Sequence, residues 1–160
     1  MSLLLRAGLL GLASGSRSTL GVAALVLTAK PAQSFLPRRS AAHTRWTRRI
    51  ALLGSTGELV GDKLPQTPSR LQPRAAGIRL ILGAISGAAL AHREGSSRRR
   101  TMAGGVVGAL GAAVGTRLGA SWRGVATKKF GPDLPGAIVE DAVAMAAAKY
   151  ATGGRGRILR

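Results

Sequence analysis

Apolar residues along this chain fall into five blocks that are separated by short basic segments. Blocks lie at about 3–29, 50–64, 75–92, 101–122 and 134–152. The third, fourth and fifth have about the 20 residues that an α-helix needs to cross roughly 30 Å of hydrocarbon. The pattern predicts an all-α fold, a polytopic helical membrane bundle of about five spans that forms one domain over residues 1–152.

The second block, IALLGSTGELVGDKL at 50–64, is shorter than the others and leaves two alternatives open. It fits either a short tilted span or a re-entrant half-helix that enters and leaves on one side of the membrane. After the last block, GGRGRILR at 153–160 is rich in glycine and arginine. This composition predicts a basic, disordered tail.

The first block raises the question of an N-terminal targeting segment. No acidic residue precedes Glu58, as in a mitochondrial transit peptide, and MSLLLRAGLLGLA resembles a secretory signal. Arg17, however, interrupts the apolar core that a signal needs, and the apolar run resumes after it as LGVAALVLTA. We therefore expect a retained first span over residues 3–29.

Glycine recurs at four-residue spacing in most of the blocks. Small residues four apart lie on one helix face and let two backbones approach closely in lipid, where packing drives association. These rows of glycines predict a compact bundle. They also predict that a homo-oligomer can form through glycine-rich helix faces. The rows are formed by Gly11 and Gly15; Gly57 and Gly61; Gly83 and Gly87; Gly104 and Gly108; and Gly111, Gly115 and Gly119.

The chain combines a formal net charge of +18 with a mean hydropathy of +0.17, so most of its 24 Lys and Arg residues lie outside the apolar blocks. Segments 30–49 and 93–100 hold six and four of them and the tail holds three, against three each in 63–74 and 123–133. Because Lys and Arg accumulate in cytoplasmic loops, we expect the first group on the cytoplasmic side. The predicted location is the plasma membrane, with the lipid bilayer and its anionic lipids as partners.

A basic nucleic-acid-binding protein is the main alternative for a pI near 12.0. Aromatic residues make up only 3% of the chain, which leaves few stacking platforms for bases, so nucleic acid is not favoured as a partner. There is no cysteine, and His43 and His92 lie at the edges of basic segments, so neither a metal nor a cofactor is expected. No nucleophile motif or phosphate-binding loop accompanies the carboxylates, and we do not expect an enzyme.

Charged residues within or beside the apolar blocks are the candidate functional feature. Arg17, Arg79 and Arg117 each follow Gly-x, and four of the six carboxylates lie in or at the edge of a block. An ionisable group near the bilayer centre costs about 3 kcal/mol on insertion scales and usually faces a partner or a water-filled cavity. The candidate intramembrane polar site comprises Arg17, Glu58, Asp62, Lys63, Arg70, Arg79, Arg117, Glu140 and Asp141.

Alternating spans would place several of these charges at one depth. Glu58, Arg79, Arg117 and Glu140 would then lie about 6 to 9 Å inside the non-cytoplasmic ends of their spans, at 1.5 Å per residue. Arg17, near the middle of the first span, would close this layer from below.

Three interpretations of the charges stay open. They form structural ion pairs that lock helices together, with peripheral cations snorkelling to headgroups. Alternatively, Glu58, Asp62, Glu140 or Asp141 changes protonation or binds a cation on an ion, proton or solute path. In the third, arginines 17, 70, 79 and 117 bind anionic lipid or phosphate groups.

Several of these segments resemble a family of small bacterial integral membrane proteins of unknown function. The matching pattern is Glu58-x-x-x-Asp62-Lys63-x-Pro65 followed by Pro68-Ser69-Arg70, with the Gly-x-Arg-Ser of the first block and the later Glu140-Asp141 pair. Segments 14–25, 57–70 and 134–148 and the third and fourth blocks carry the resemblance, which covers most of residues 14–150. It implies an all-helical inner-membrane protein that keeps its first span, and it implies no particular activity.

The leading hypothesis is a non-enzymatic membrane protein with a small transporter-like or channel-like polar site in the non-cytoplasmic half of the bilayer. The shared depth of the charges is the observation behind it. The competing hypothesis is a structural or assembly protein in which the same charges only pack helices.

Overall fold

The computed structural model describes residues 1–28, 46, 49–54, 72–130 and 133–153. Within these ranges the chain is all-α, as predicted. Its helices are α1 (Leu3–Ser16), α2 (Leu20–Thr28), α3 (Pro73–Arg93), α4 (Arg98–Phe130) and α5 (Asp133–Thr152). Two of them, α3 and α4, are long and apolar enough to cross a membrane.

The first apolar block forms two helices, which corrects the prediction of a single span at 3–29. Arg17 has an extended backbone with φ −136° and ends α1. A Cβ added to Gly21 of α2 would lie 2.2 Å from Ser14 Oγ and 2.8 Å from the Leu10 carbonyl oxygen, so α2 runs back along α1. Serine and threonine on both sides of Arg17 offer the backbone hydrogen bonds that compete with a helix. The block is therefore a helical hairpin.

The remaining boundaries follow the sequence more closely. Helices α3 and α5 match the blocks at 75–92 and 134–152, whereas α4 extends past both ends of the block at 101–122 because the flanking basic residues continue the helix. Residues 49–54 of the second block are helical. The choice between a crossing and a re-entrant second segment, and the tail from 154 onward, lie outside the described residues.

A tight turn joins α3 to α4. Gly95 has a φ of 68°, a left-handed conformation that suits glycine. The N–H groups of Gly95 and Ser96 donate to the carbonyls of His92 and Ala91, so the last turn of α3 is closed by a Schellman motif. Since the turn is short, α3 and α4 are antiparallel neighbours.

Helix α1 is the centre of the bundle and packs against each of the other four helices. It is parallel to α4, since Gly8, Gly11 and Gly15 meet Val107, Gly108 and Ala112 in that order. It is antiparallel to α3 and α5. The start of α1 and the ends of α2, α3 and α5 therefore lie at one end of the bundle, which we call the basic end because Arg93 and Arg98–Arg100 lie there.

The glycine rows face one another inside the chain. A Cβ on Gly108 would lie 2.2 Å from the Gly83 carbonyl oxygen of α3, and one on Gly11 would lie 2.0 Å from the Gly108 carbonyl oxygen. On the other side of α4, a Cβ on Gly115 would lie 2.3 Å from the Leu12 carbonyl oxygen of α1. The predicted close packing is confirmed, and these rows serve contacts between helices of one chain. Assembly of several chains stays a prediction.

Large apolar side chains lie outside the bundle and small ones inside. Among the described residues, the buried apolar core consists of three leucines and ten alanines. Serines 14 and 86 are fully buried between helices. A stripe of exposed aliphatic residues runs about 35 Å along α4, formed by Met102, Val106, Leu110, Val114, Leu118 and Val125.

Candidate functional site

The hairpin tip between α1 and α2 places a buried arginine inside the bundle. Arg17 is only 3% exposed, and its N–H donates to the Ala13 carbonyl at 2.8 Å. The chain turns immediately, since the N–H of Leu20 donates to the Arg17 carbonyl at 3.1 Å. Arg17 therefore lies at the end of α1, where the chain reverses, and its side chain is not part of a continuous helix face.

Arg17 forms an ion pair with Asp141 of α5. Its Nε donates to Oδ1 of Asp141 at 2.7 Å, and its second terminal nitrogen also donates to Oδ1. Both side chains are largely buried, with exposed fractions of 4% and 11%. Oδ2 accepts no hydrogen bond from the described residues, and Asp141 lines a cavity of about 350 Å³ between α2 and α5. One oxygen of a buried carboxylate thus remains available to a ligand.

The C-terminal end of α1 is held by side chains from two other helices. Arg79 of α3 donates from a terminal nitrogen to the Gly15 carbonyl at 3.0 Å, and the Thr116 hydroxyl of α4 donates to the same oxygen at 3.2 Å. The last carbonyls of a helix lack partners within it and carry a partial negative charge. Arg79 therefore satisfies the helix end and complements its dipole at the level of Arg17.

A second buried carboxylate adjoins the first on α5. Glu140 is 6% exposed and accepts a hydrogen bond from Nε of Arg123 of α4 at 3.0 Å. It lines a separate cavity of about 270 Å³ together with Ser16 and Trp122. Consecutive residues of a helix point in different directions, so Glu140 and Asp141 face two cavities on either side of the α1 tip.

The two ion pairs lie well inside the bundle. Arg17 is about 16 Å from Arg6 along the axis of α1, and Arg79 is about 21 Å from Arg93 along α3, at 1.5 Å per residue. Arg6 and Arg93 belong to the basic end. If the hydrocarbon layer of roughly 30 Å begins there, the pairs lie in its far half.

The sequence-predicted set divides into three groups. Arg17, Arg79, Glu140 and Asp141 are brought together around the α1 tip, with Arg17 level with Asp141 rather than beneath the other charges. Four members lie outside the described residues: Glu58, Asp62, Lys63 and Arg70. The ninth, Arg117, lies apart from these four residues.

Arg117 is exposed on the outer surface of α4. It makes no hydrogen bond or ion pair with the described residues. Its neighbour Thr116 is the residue of α4 that turns inward to Gly15, and the next residue along a helix is rotated by about 100°. The direction of each side chain around α4, which the depth of the residue alone does not give, therefore separates Arg117 from the residues at the α1 tip.

Sequence reasoning missed Arg123, which provides the partner of Glu140. A signal for it exists: Arg123 and Glu140 are placed almost symmetrically about Gly131 and Pro132. In two antiparallel helices joined by a short connection, residues equidistant from the connection lie at the same level. The apolar block at 101–122 ends one residue before Arg123, which places this arginine in the basic segment 123–133, whereas α4 continues to Phe130.

A second polar cluster at the basic end was also missed. Arg6 is 5% exposed, donates from Nε to the Ala151 carbonyl at 2.6 Å and forms an ion pair with Glu94. Arg93 donates to the Thr28 carbonyl at 2.8 Å, at the C-terminal end of α2. These contacts fasten both legs of the hairpin to α3 and α5, so the cluster holds the base of the hairpin.

Comparison with known proteins gives no relative from which a function could be transferred: no family model, no curated protein and no solved structure matches this chain. The described residues contain no group of three or more His, Asp or Glu side chains that could hold a metal ion. The charged groups at the tip are arginines, which stay protonated, and carboxylates, which can accept hydrogen bonds or take up a proton.

Proposed function

We propose that this protein is a multi-pass plasma-membrane protein whose bundle holds an intramembrane charged site for an ion, a proton or a small polar solute. The observation that carries the proposal is the buried Arg17–Asp141 ion pair at the break between α1 and α2. In membrane transporters, interrupted helices direct their dipole ends and free backbone groups at binding sites near the midplane. The reversal at Arg17 likewise places a helix end and a charged side chain inside a bundle.

The distribution of side chains supports the membrane location. In water, an aliphatic stripe of this length on α4 would be a large exposed patch that favours aggregation. In lipid the same stripe is solvated, and small residues inside the bundle let helices pack closely. The stripe is about as long as the hydrocarbon layer is thick, and the arginines of the basic end follow the rule for cytoplasmic segments.

The free oxygen of Asp141 supports a binding role. The hydrogen bonds that Asp141 accepts from Arg17 reach Oδ1, and Asp141 lines the cavity between α2 and α5. A cation or proton at Oδ2 would compete with Arg17 for the carboxylate charge. Occupation of the site would then weaken the contact that holds the hairpin tip to α5, which couples binding to a movement of the tip.

A structural role is the competing proposal, and a specific observation favours it. The two buried carboxylates at the tip each have an arginine partner from another helix. The Gly15 carbonyl joins α1, α3 and α4 through Arg79 and Thr116. In this alternative the charges only fix the mutual positions of helices, as a buried polar group can do in a coiled coil.

Flux measurements on neutral variants distinguish the two proposals. The protein is reconstituted into liposomes, and proton entry is followed with an enclosed pH-sensitive dye and Na⁺ or K⁺ entry with radioactive tracers. We expect flux of at least one of these ions above that of protein-free liposomes. It should fall at least about tenfold in the double variant Arg17→Gln, Asp141→Asn, which keeps two hydrogen-bonding side chains but no charge.

Arg117→Gln is the matched control, because it removes an arginine outside the site, and it should retain wild-type flux. Circular dichroism and gel filtration in detergent establish that each variant is folded. Absence of flux in the wild-type protein, or unchanged flux in the folded double variant, would reject the binding site and leave the structural role.

A further inference from the structure

One cavity of the described residues is a groove on the side of the bundle. It lies between α2 and α5, has a volume of about 350 Å³ and is open along one side. Alanines line the groove on both helices, among them Ala23, Ala24 and Ala148, and their short side chains leave space between the helices. The hairpin is fastened at its tip and base by Arg17 and Arg93, and Leu52 of the second block also lines the groove.

Polarity changes along this groove. Its middle is apolar, with Leu20, Leu27 and Met145 beside the alanines, and its inner end is closed by the Arg17–Asp141 ion pair. Its outer end carries Thr28, Lys149 and Thr152. The groove thus runs from a cationic, hydroxyl-bearing mouth along an apolar channel, which is the polarity of a phospholipid read from headgroup to tail.

The position of the mouth determines which headgroup fits. Lys149 is exposed in the last turn of α5, at the basic end of the bundle. Arg93, which donates to Thr28 at the mouth, and Arg98–Arg100 lie at the same end. Glu94 is the single described carboxylate there, and it is paired with Arg6. Cations at the bilayer surface attract anionic lipids by about 1 kcal/mol each.

We propose that the α2–α5 groove binds an anionic phospholipid, with one acyl chain along α2 and the phosphate at Lys149. Lys149 extends its apolar stem over the groove and its ammonium toward the headgroup. The hydroxyls of Thr28 and Thr152 donate to carbonyls of their own helices, so the ammonium of Lys149 provides the contact to the phosphate. The inner end of the groove is the Asp141 side of the proposed ion or solute site. Lipid retention and ion flux are measured separately, so failure of one proposal is distinguishable from failure of the other.

The test is lipid retention measured by native mass spectrometry. Protein in detergent is mixed with equal amounts of phosphatidylglycerol and phosphatidylcholine, and lipid-bound species are counted. We expect one retained phosphatidylglycerol per chain in preference to phosphatidylcholine. Lys149→Ala should lower that preference about fivefold, the equivalent of about 1 kcal/mol. Lys128→Ala, an exposed lysine near the far end of α4, should leave it unchanged.

A second variant tests the groove itself. Ala24 lies half-buried on the groove wall, and Ala24→Phe should fill the groove and abolish retention of either lipid. Equal retention of both lipids, no retained lipid in the wild type, or an unchanged preference in Lys149→Ala would each overturn the proposal. If Ala24→Phe does not fold, the exposed Lys149 and Lys128 variants decide the result alone.

Discussion

Arg17 and Asp141 are 124 positions apart in the sequence, yet the Nε of the first donates to Oδ1 of the second at 2.7 Å inside the bundle. The contact joins the tip of the α1–α2 hairpin to the middle of α5. Both side chains are largely buried, so the pair fixes the hairpin tip against α5 and places one positive and one negative charge inside the bundle.

Removal of one member of this pair should be more destabilising than removal of both. We expect Asp141→Leu to lower the free energy of unfolding by about 3 kcal/mol, because the buried guanidinium of Arg17 loses its counter-charge. The double variant Arg17→Met, Asp141→Leu should recover most of that loss, since neither charge remains. Equilibrium unfolding in mixed detergent micelles measures both. Additive losses would contradict a direct pair.

Two neighbouring glycines of α4 should respond in opposite ways to alanine. A Cβ on Gly108 would lie 2.2 Å from the Gly83 backbone oxygen, which moves only if α3 and α4 separate, so Gly108→Ala should cost about 2 kcal/mol. At Gly105 the nearest atom would be 3.5 Å away, an ordinary contact. Gly105→Ala should therefore be neutral or stabilise by up to about 1 kcal/mol through helix propensity. Thermal unfolding in detergent compares them.

The two arginines in the far half of α4 provide a further matched comparison. Arg123→Gln should destabilise the protein by more than about 1.5 kcal/mol, because Glu140 is buried and loses a charge-assisted hydrogen bond. Arg117→Gln should change the stability by less than about 0.5 kcal/mol, as expected for an exposed position. Equal effects of the two changes would show that Arg123 is not the partner that Glu140 requires.

Membrane topology follows from the reversal at Arg17. Single cysteines at Ser2, Ser96 and Gly153 should react with an impermeant thiol reagent from the same side of the membrane, since all three lie at the basic end. A cysteine at Thr127, beyond the tip on α4, should react from the other side. A first span that crosses, as the uninterrupted block predicts, would instead place Ser2 opposite Ser96. Because the chain has no native cysteine, each label reports one position.

The charged residues show which part of the candidate site can be predicted from the sequence. Arg17, Arg79, Glu140 and Asp141 were identified because ionisable residues in apolar helices are costly and require partners, and this requirement is a local property of the sequence. Which residue serves as the partner is not local. Arg123 rather than Arg117 contacts Glu140, because the choice depends on the rotation of α4 about its axis and on the level at which α5 turns back.

The sequence by itself determined the helical class, most helix positions, the small-residue faces and the concentration of cations at one end. These properties follow from hydrophobicity, side-chain size and charge counted along short stretches. Tertiary structure alone decided that the first block reverses at Arg17 and that its tip meets Asp141. An apolar block of that length can lie in the hydrocarbon layer equally well as one span or as a hairpin. Only the packing of α1 among the other helices, and the buried ion pair at its tip, distinguish the two.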